Sequence, residues 1–367
     1  MTRLRTFAAA ATTAALVGLT GCSSASSEPS ADTQTATEAA STPPTASPGR
    51  TDGLSVSELA SGLVSPWGLV SLPDGTTLVS ERDSREIVHL DGTRQTTVAT
   101  LADVEPAGEG GLLGLAASPD ATAIYAYFTA ERDNRIAAMS WDGMVLGEPR
   151  VILAGIPKGT RHNGGRIVIG SDGDLYVGTG DSGDEQLAQD TASLGGKILR
   201  ITDEGRPAEG NPFGNEVYSY GHRNVQGLAF DDEDRLWASE FGDQTWDELN
   251  LIARGANYGW PLAEGSGNTP DLVNPKVVWP TSEASPSGLA YWKGSLWMAA
   301  LQGERLWQIP VDDTTTGKPQ AHLAGAYGRL RSVTVAQDGG SLLLSASNTD
   351  GRADPANGDD RLLRLTR

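Results

Sequence analysis

The chain runs to 367 residues, with 28 Lys and Arg against 47 Asp and Glu, a formal net charge of −19. So acidic a balance argues against a nucleic-acid partner, because phosphate binding needs a basic face. Cys22 is the only cysteine, so no disulfide can staple the fold and its stability must come from packed secondary structure.

Residues 1–21 read as an export signal. Arg3 and Arg5 precede an Ala-rich apolar run from Phe7 that ends at Leu19-Thr20-Gly21-Cys22. The run is shorter than the roughly 20 apolar residues of a transmembrane helix. Small residues before Cys22 are similar to a bacterial lipobox, which implies cleavage before Cys22 and lipid on its thiol; an ordinary secretory signal with an incidental cysteine is the alternative. On the first reading the chain is exported and held to the outer face of the cell membrane by that lipid alone. Cleavage would remove Arg3 and Arg5 and no acid, deepening the formal charge to −21. Residues 22–52 follow as the lipidated cysteine and a Ser/Thr/Ala/Pro-rich tether, too poor in large apolar side chains to offset its ordering entropy.

Residues 53–367 suit one large all-β domain. A small residue and an aliphatic, then a turn, then an apolar run recur six times, at W-G-L-V-S-L-P-D-G (67–75), L-G-L-A-A-S-P-D (113–120), G-R-I-V-I-G-S-D-G (165–173), Q-G-L-A-F-D-D (226–232), S-G-L-A-Y-W-K-G (287–294) and R-S-V-T-V-A-Q-D-G (331–339). Taking Gly68, Gly114, Arg166, Gly227, Gly288 and Ser332 as equivalent anchors, the spacing is 44 to 61 residues. A second string, among them R-E-I-V-H-L (85–90), G-K-I-L-R-I (196–201) and D-R-L-L-R-L (360–365), closes each unit. Two strings in one order, six times, predict a six-bladed β-propeller of four-stranded antiparallel blades.

In a propeller the segment entering each first strand lies at one mouth of the central channel. Glu109, His162, Arg223, Asn224, Arg329 and Arg331 all fall one to five residues before an anchor. Any one of these arginines would be expected to pair with a carboxylate of so acidic a chain; three at one phase point instead to an anionic ligand, which guanidinium grips in bidentate fashion. His162 sits in H-N-G-G, where the backbone permits close approach. Asp181, at the end of the antiparallel second strand, returns to the same mouth. A carboxylate beside a histidine fixes its tautomer and raises its basicity, so the pair is either a catalytic base with its orienting acid or a structural contact. The segment 239–252 is acidic, with Gly242, Asp243, Asp247 and Glu248. Alone it reads first as a solvated loop and second as an oxygen-ligand calcium site.

The same residues resemble the soluble glucose and sorbosone dehydrogenase family, whose members use pyrroloquinoline quinone. The motifs fall in the family's order from about Leu63 to Leu365: S-P-W-G-L (65–69), G-G-L-L-G (110–114), H-N-G-G-R (162–166), Y-V-G-T-G-D (176–181), G-H-R-N-V-Q-G (221–227), D-E-L-N-L-I (247–252), N-Y-G-W-P (257–261) and R-L-R-S-V (329–333). The resemblance implies a six-bladed propeller in which His162 is the base for the substrate hydroxyl and Asp181 orients it. It implies that Arg223, Asn224, Arg329 and Arg331 hold the tricarboxylate quinone. It further implies that the backbone carbonyls of Gly242 and Asp243 hold a calcium ion against the cofactor, and that Asp247, Glu248 and Tyr258 hold a second, structural one. Two positions depart. Gln302 stands where glucose-oxidising members have a lysine facing the quinone, a loss of about 1–3 kcal/mol in a dry site. Glu109 stands where those members place a glutamine near the sugar.

The expected function is oxidation of the anomeric C–OH of aldoses, or of an aldehyde hydrate, with electrons passed to an external acceptor. A non-catalytic propeller binding an acidic glycan or protein, and a calcium-dependent lactonase, are the competing readings.

Overall fold

The computed structural model describes residues 50–51, 53–267 and 269–367. The export signal, Cys22 and nearly all of the tether lie outside them. Six antiparallel sheets are arranged in a ring, and among the described residues the only helix is a single 3-10 turn, Glu185–Ala188. Blades 1 to 5 follow one another along the chain, as Pro66–Thr100, Leu112–Ile156, Ile167–Tyr220, Val225–Pro280 and Pro286–His322. The sixth combines Leu330–Val335, Leu342–Ala346 and Arg361–Thr366 with Leu54–Ser61 from the start of the domain. Ser55 pairs with Thr366 and Ser57 with Arg364, so the ring is closed by strands from both ends of the chain.

The first string of each repeat forms the innermost strand and the turn after it, with the second strand following directly. The second string is the third strand and not the last, which corrects the expectation that it closes each unit. A fourth strand lies outside it, for example Arg94–Thr100, whose side chains are mostly exposed and therefore carry no recurring apolar code.

Anchor glycines are explained by how closely neighbouring blades approach. A Cβ on Gly114 would lie 2.0 Å from the carbonyl of Gly165, and one on Gly227 would lie 2.3 Å from that of Ser287. In five of the six blades the pairing of the first two strands slips at this point, as between Leu112 and Leu115 or between Val225 and Gly227. Such a bulge re-aims the residues preceding it, here the segments that form the upper mouth. Apolar side chains then fill the wedge between each pair of neighbouring blades with its own cluster. Trp237 and Trp297, buried without exposure, anchor two of them. Truncating either to Ala would cost about 3–5 kcal/mol.

Candidate functional site

His162 is held before any ligand arrives. Its φ of 56° puts it in the left-handed region, a strain of order 1–3 kcal/mol that surrounding bonds must offset. Its backbone N–H donates to Glu109 Oε2 at 2.8 Å, and its carbonyl accepts from Ser182 N at 3.1 Å. Tyr127 Oη donates to the carbonyl of the next residue, Asn163, at 2.8 Å. His162 Nδ1 lies 2.7 Å from Asp181 Oδ1, and both side chains are buried. Asp181 also accepts from Gly183 N at 2.7 Å and, through Oδ2, from Trp260 Nε1 at 2.8 Å. Burial works to raise the Asp181 carboxyl, but His162 and these donors outweigh it and hold the group below its ordinary value. An ionised Asp181 keeps the proton on Nδ1 and leaves the Nε2 lone pair for a substrate. Nε2 has no protein partner among the described residues.

The arginines do gather, but each already has a partner, which corrects the expectation that three at one phase would go without. Arg223 donates to the Gly242 carbonyl and, at 2.8 Å, to Asp243 Oδ1, and it lies over the Trp260 ring at 5.2 Å. Arg329 and Arg331 share one carboxylate, Asp350 Oδ2, at 2.9 and 3.5 Å. Arg331 also reaches Gln226 Oε1 at 2.8 Å. Burial raises the Asp350 carboxyl less than Arg331 and Arg329 lower it, so it too sits below its ordinary value. Nε of Arg223 and Nε of Arg331 are buried with no acceptor. Asn224 Oδ1 accepts from Gly164 N at 3.0 Å, joining the fourth blade to the histidine loop.

Glu109 bridges the two halves of the mouth. Besides His162 N it accepts from Arg352 Nη2 at 2.7 Å, while Arg352 N donates to Asp350 Oδ1 at 3.0 Å. A chain of hydrogen bonds thus runs from His162 through Glu109, Arg352 and Asp350 to Arg329. Beside it a cavity of about 400 Å³ is lined by Gln302, Tyr327, Arg329, Asn348 and Arg352. Gln302 is exposed on this wall.

The acidic loop is ordered by a residue outside it. Glu264 Oε1 accepts from four successive amides, Asp243 to Trp246, at 2.7 to 3.1 Å. Asp247, Glu248 and Tyr258 do not converge on one point, contrary to expectation. Asp247 and Glu248 are neighbours on a strand and point to opposite faces. Asp247 accepts from Gly242 N and, at 2.6 Å, from Ser285 N, whereas Glu248 accepts from Gly265 N and Asn250 Nδ2. Burial pushes the Asp247 carboxyl up to about 6, and burial with the nearby Glu240 raises Glu248 further. Tyr258 Oη is taken up by the Leu251 carbonyl and Ala253 N. Glu248 and Tyr258 instead share a small cavity with Glu240 and Trp260. Among the described residues no three His, Cys, Asp or Glu side chains cluster as a metal cage, so a bound ion would draw on carbonyl oxygens.

Trp260, Asp350, Arg352 and Glu240 were missed by sequence reasoning. Trp260 lies inside N-Y-G-W-P, where the resemblance points to Tyr258. Asp350 and Arg352 sit in a loop after the second strand of the last blade, the phase that Asp181 occupies in the third.

Residues 63–363 match the family model described as Glucose / Sorbosone dehydrogenase. The chain is 56% identical to the PQQ-bound form of aldose sugar dehydrogenase from Streptomyces coelicolor, with a TM-score of 0.83 over 85% of this chain and 98% of that one. It is 30% identical to aldose sugar dehydrogenase YliI of Escherichia coli K12 over 66% of this chain and 71% of the relative. With quinoprotein glucose dehydrogenase B of Acinetobacter calcoaceticus it shares 32% identity over 56% of this chain and 52% of the relative. The chain belongs to the glucose/sorbosone dehydrogenase family of pyrroloquinoline quinone-dependent sugar oxidoreductases.

Proposed function

We propose that this chain oxidises the anomeric C–OH of aldose sugars, or the hydrate of an aldehyde, with pyrroloquinoline quinone and calcium, and that His162 is the general base. The observation that carries the reading is the buried His162–Asp181 pair joined by hydrogen bonds to a cluster of guanidinium groups.

The residues present suit the quinone. Arg329 and Arg331 have one carboxylate between them, and the orphaned Nε atoms of Arg223 and Arg331 call for further acceptors. A ligand with several carboxylates answers both needs. Arg223, Asn224, Arg329, Arg331 and Gln302 would hold it. Calcium is supported by the Gly242 carbonyl, which already faces a cation in Arg223, with Asp243 beside it. When bound, the quinone supplies the hydride acceptor and calcium the Lewis acid that draws charge toward it.

The chain's own part is proton handling and orientation. Asp181 fixes the imidazole so that Nε2 takes the sugar's hydroxyl proton as the C–H bond breaks, and it stabilises the imidazolium that results. Glu109, tied to His162 N and Arg352, is placed to accept from a neighbouring sugar hydroxyl. The test is His162→Ala, assayed by dye reduction with the quinone and calcium present. Turnover should fall at least about 100-fold, and equal activity would remove His162 from the mechanism.

A further inference from the structure

Arg166 is the one large residue in the ring of anchors. Its five counterparts are Gly68, Gly114, Gly227, Gly288 and Ser332. Nε donates to the Gln226 carbonyl at 2.8 Å and Nη2 to Ser332 Oγ at 3.0 Å. The guanidinium lies over the Trp67 ring at 4.4 Å. Arg166 therefore reaches from blade 3 to blades 1, 4 and 6 and forms a floor across the channel.

Below that floor, at the end of the axis away from His162, the channel widens into a funnel of about 360 Å³ with Arg166 among its lining. All six blades contribute to the wall, through Val70, Leu115, Val168, Leu228, Leu289 and Val333. These residues lie on innermost strands, each the free edge of its sheet, which presents unpaired N–H and C=O groups to the channel.

Arg166 differs from the arginines of the upper mouth in having no acid at all. Burial is the only influence on its guanidinium, pushing it down to about 9, so it remains a cation at neutral pH. Nη1 has no partner among the described residues. A buried cation without a counter-charge is costly, and an anion in the funnel would relieve that cost.

We propose that this funnel is a second binding site, separate from the sugar-oxidising mouth, which takes a small monocarboxylate. Its carboxylate is received by Arg166 Nη1 and strand-edge amides. A single uncompensated cation suits a monoanion better than a dianion. The volume, at the lower end of small-molecule pockets, suits a few carbons.

The experiment is a titration of the purified full-length protein with 13C-labelled propionate at constant ionic strength, followed by ligand-observed NMR. Saturable binding in the millimolar range is expected, weakened about tenfold or more in Arg166→Gln. Saturating pyrroloquinoline quinone should leave it unchanged, because the quinone would occupy the upper arginines. Should Arg166→Gln fail to fold, Thr334→Glu places a like charge on the half-buried funnel lining without touching the floor, and it should weaken binding similarly. The proposal is overturned if propionate does not bind, if the folded variants bind it as well as the wild type, or if the quinone displaces it.

Discussion

Trp260 Nε1 donates to Asp181 Oδ2 at 2.8 Å, while His162 Nδ1 holds the other oxygen of the same carboxylate at 2.7 Å. The indole comes from the fourth blade and the Asp–His pair from the third, so the orientation of the base depends on how two blades pack. Trp260→Phe keeps the ring over Arg223 and removes only the donor. On this account kcat falls about tenfold while KM for the sugar changes little. Steady-state kinetics at saturating cofactor would check this, and an unchanged kcat would remove Trp260 from the positioning of the base.

Gln302 lines the same cavity as Arg329 and is exposed on its wall. A lysine there would add a cation where the cofactor's carboxylates are expected. Gln302→Lys should therefore tighten quinone binding about tenfold or more, measured by titration with cofactor absorbance as the readout. Equal affinity in the two proteins would show that this position does not face the cofactor.

Asp350 carries two buried arginines. Its carboxyl is held below the ordinary value of 3.8, so the unfolded chain binds its proton more tightly than the folded one. The stability it contributes is present above the unfolded value and is lost as pH falls through the lower folded value. Asp350→Asn should flatten the acid limb of Tm against pH. At neutral pH it should cost about 3–5 kcal/mol, because Arg329 and Arg331 lose their only carboxylate. An acid limb identical to the wild type would contradict this role.

The inner half of each blade was legible in the sequence and the outer half was not. Gly114 and Gly227 recur because backbones touch there, and a steric demand of that kind leaves glycine in four of the six repeats. The outermost strands meet water and obey no such demand. Closure by Leu54–Ser61 escaped the repeat because it joins the two ends of the domain. His162 and Asp181 were found from phase and strand direction alone. Asp247 and Glu248 were grouped by the family resemblance; strand alternation separates them. Partners such as Asp350 and Glu264 lie in loops of irregular length, where spacing carries no geometric information.

The central claim is that the upper mouth binds pyrroloquinoline quinone and passes a sugar's electrons to it. The most direct measurement is a titration of the purified, calcium-loaded protein with the quinone, followed by absorbance and then by dye reduction with a panel of aldoses. The account predicts saturable binding at micromolar quinone or below, and reduction that depends on the aldose. No binding at micromolar quinone would contradict it, and would leave a propeller whose arginines serve only Asp243 and Asp350.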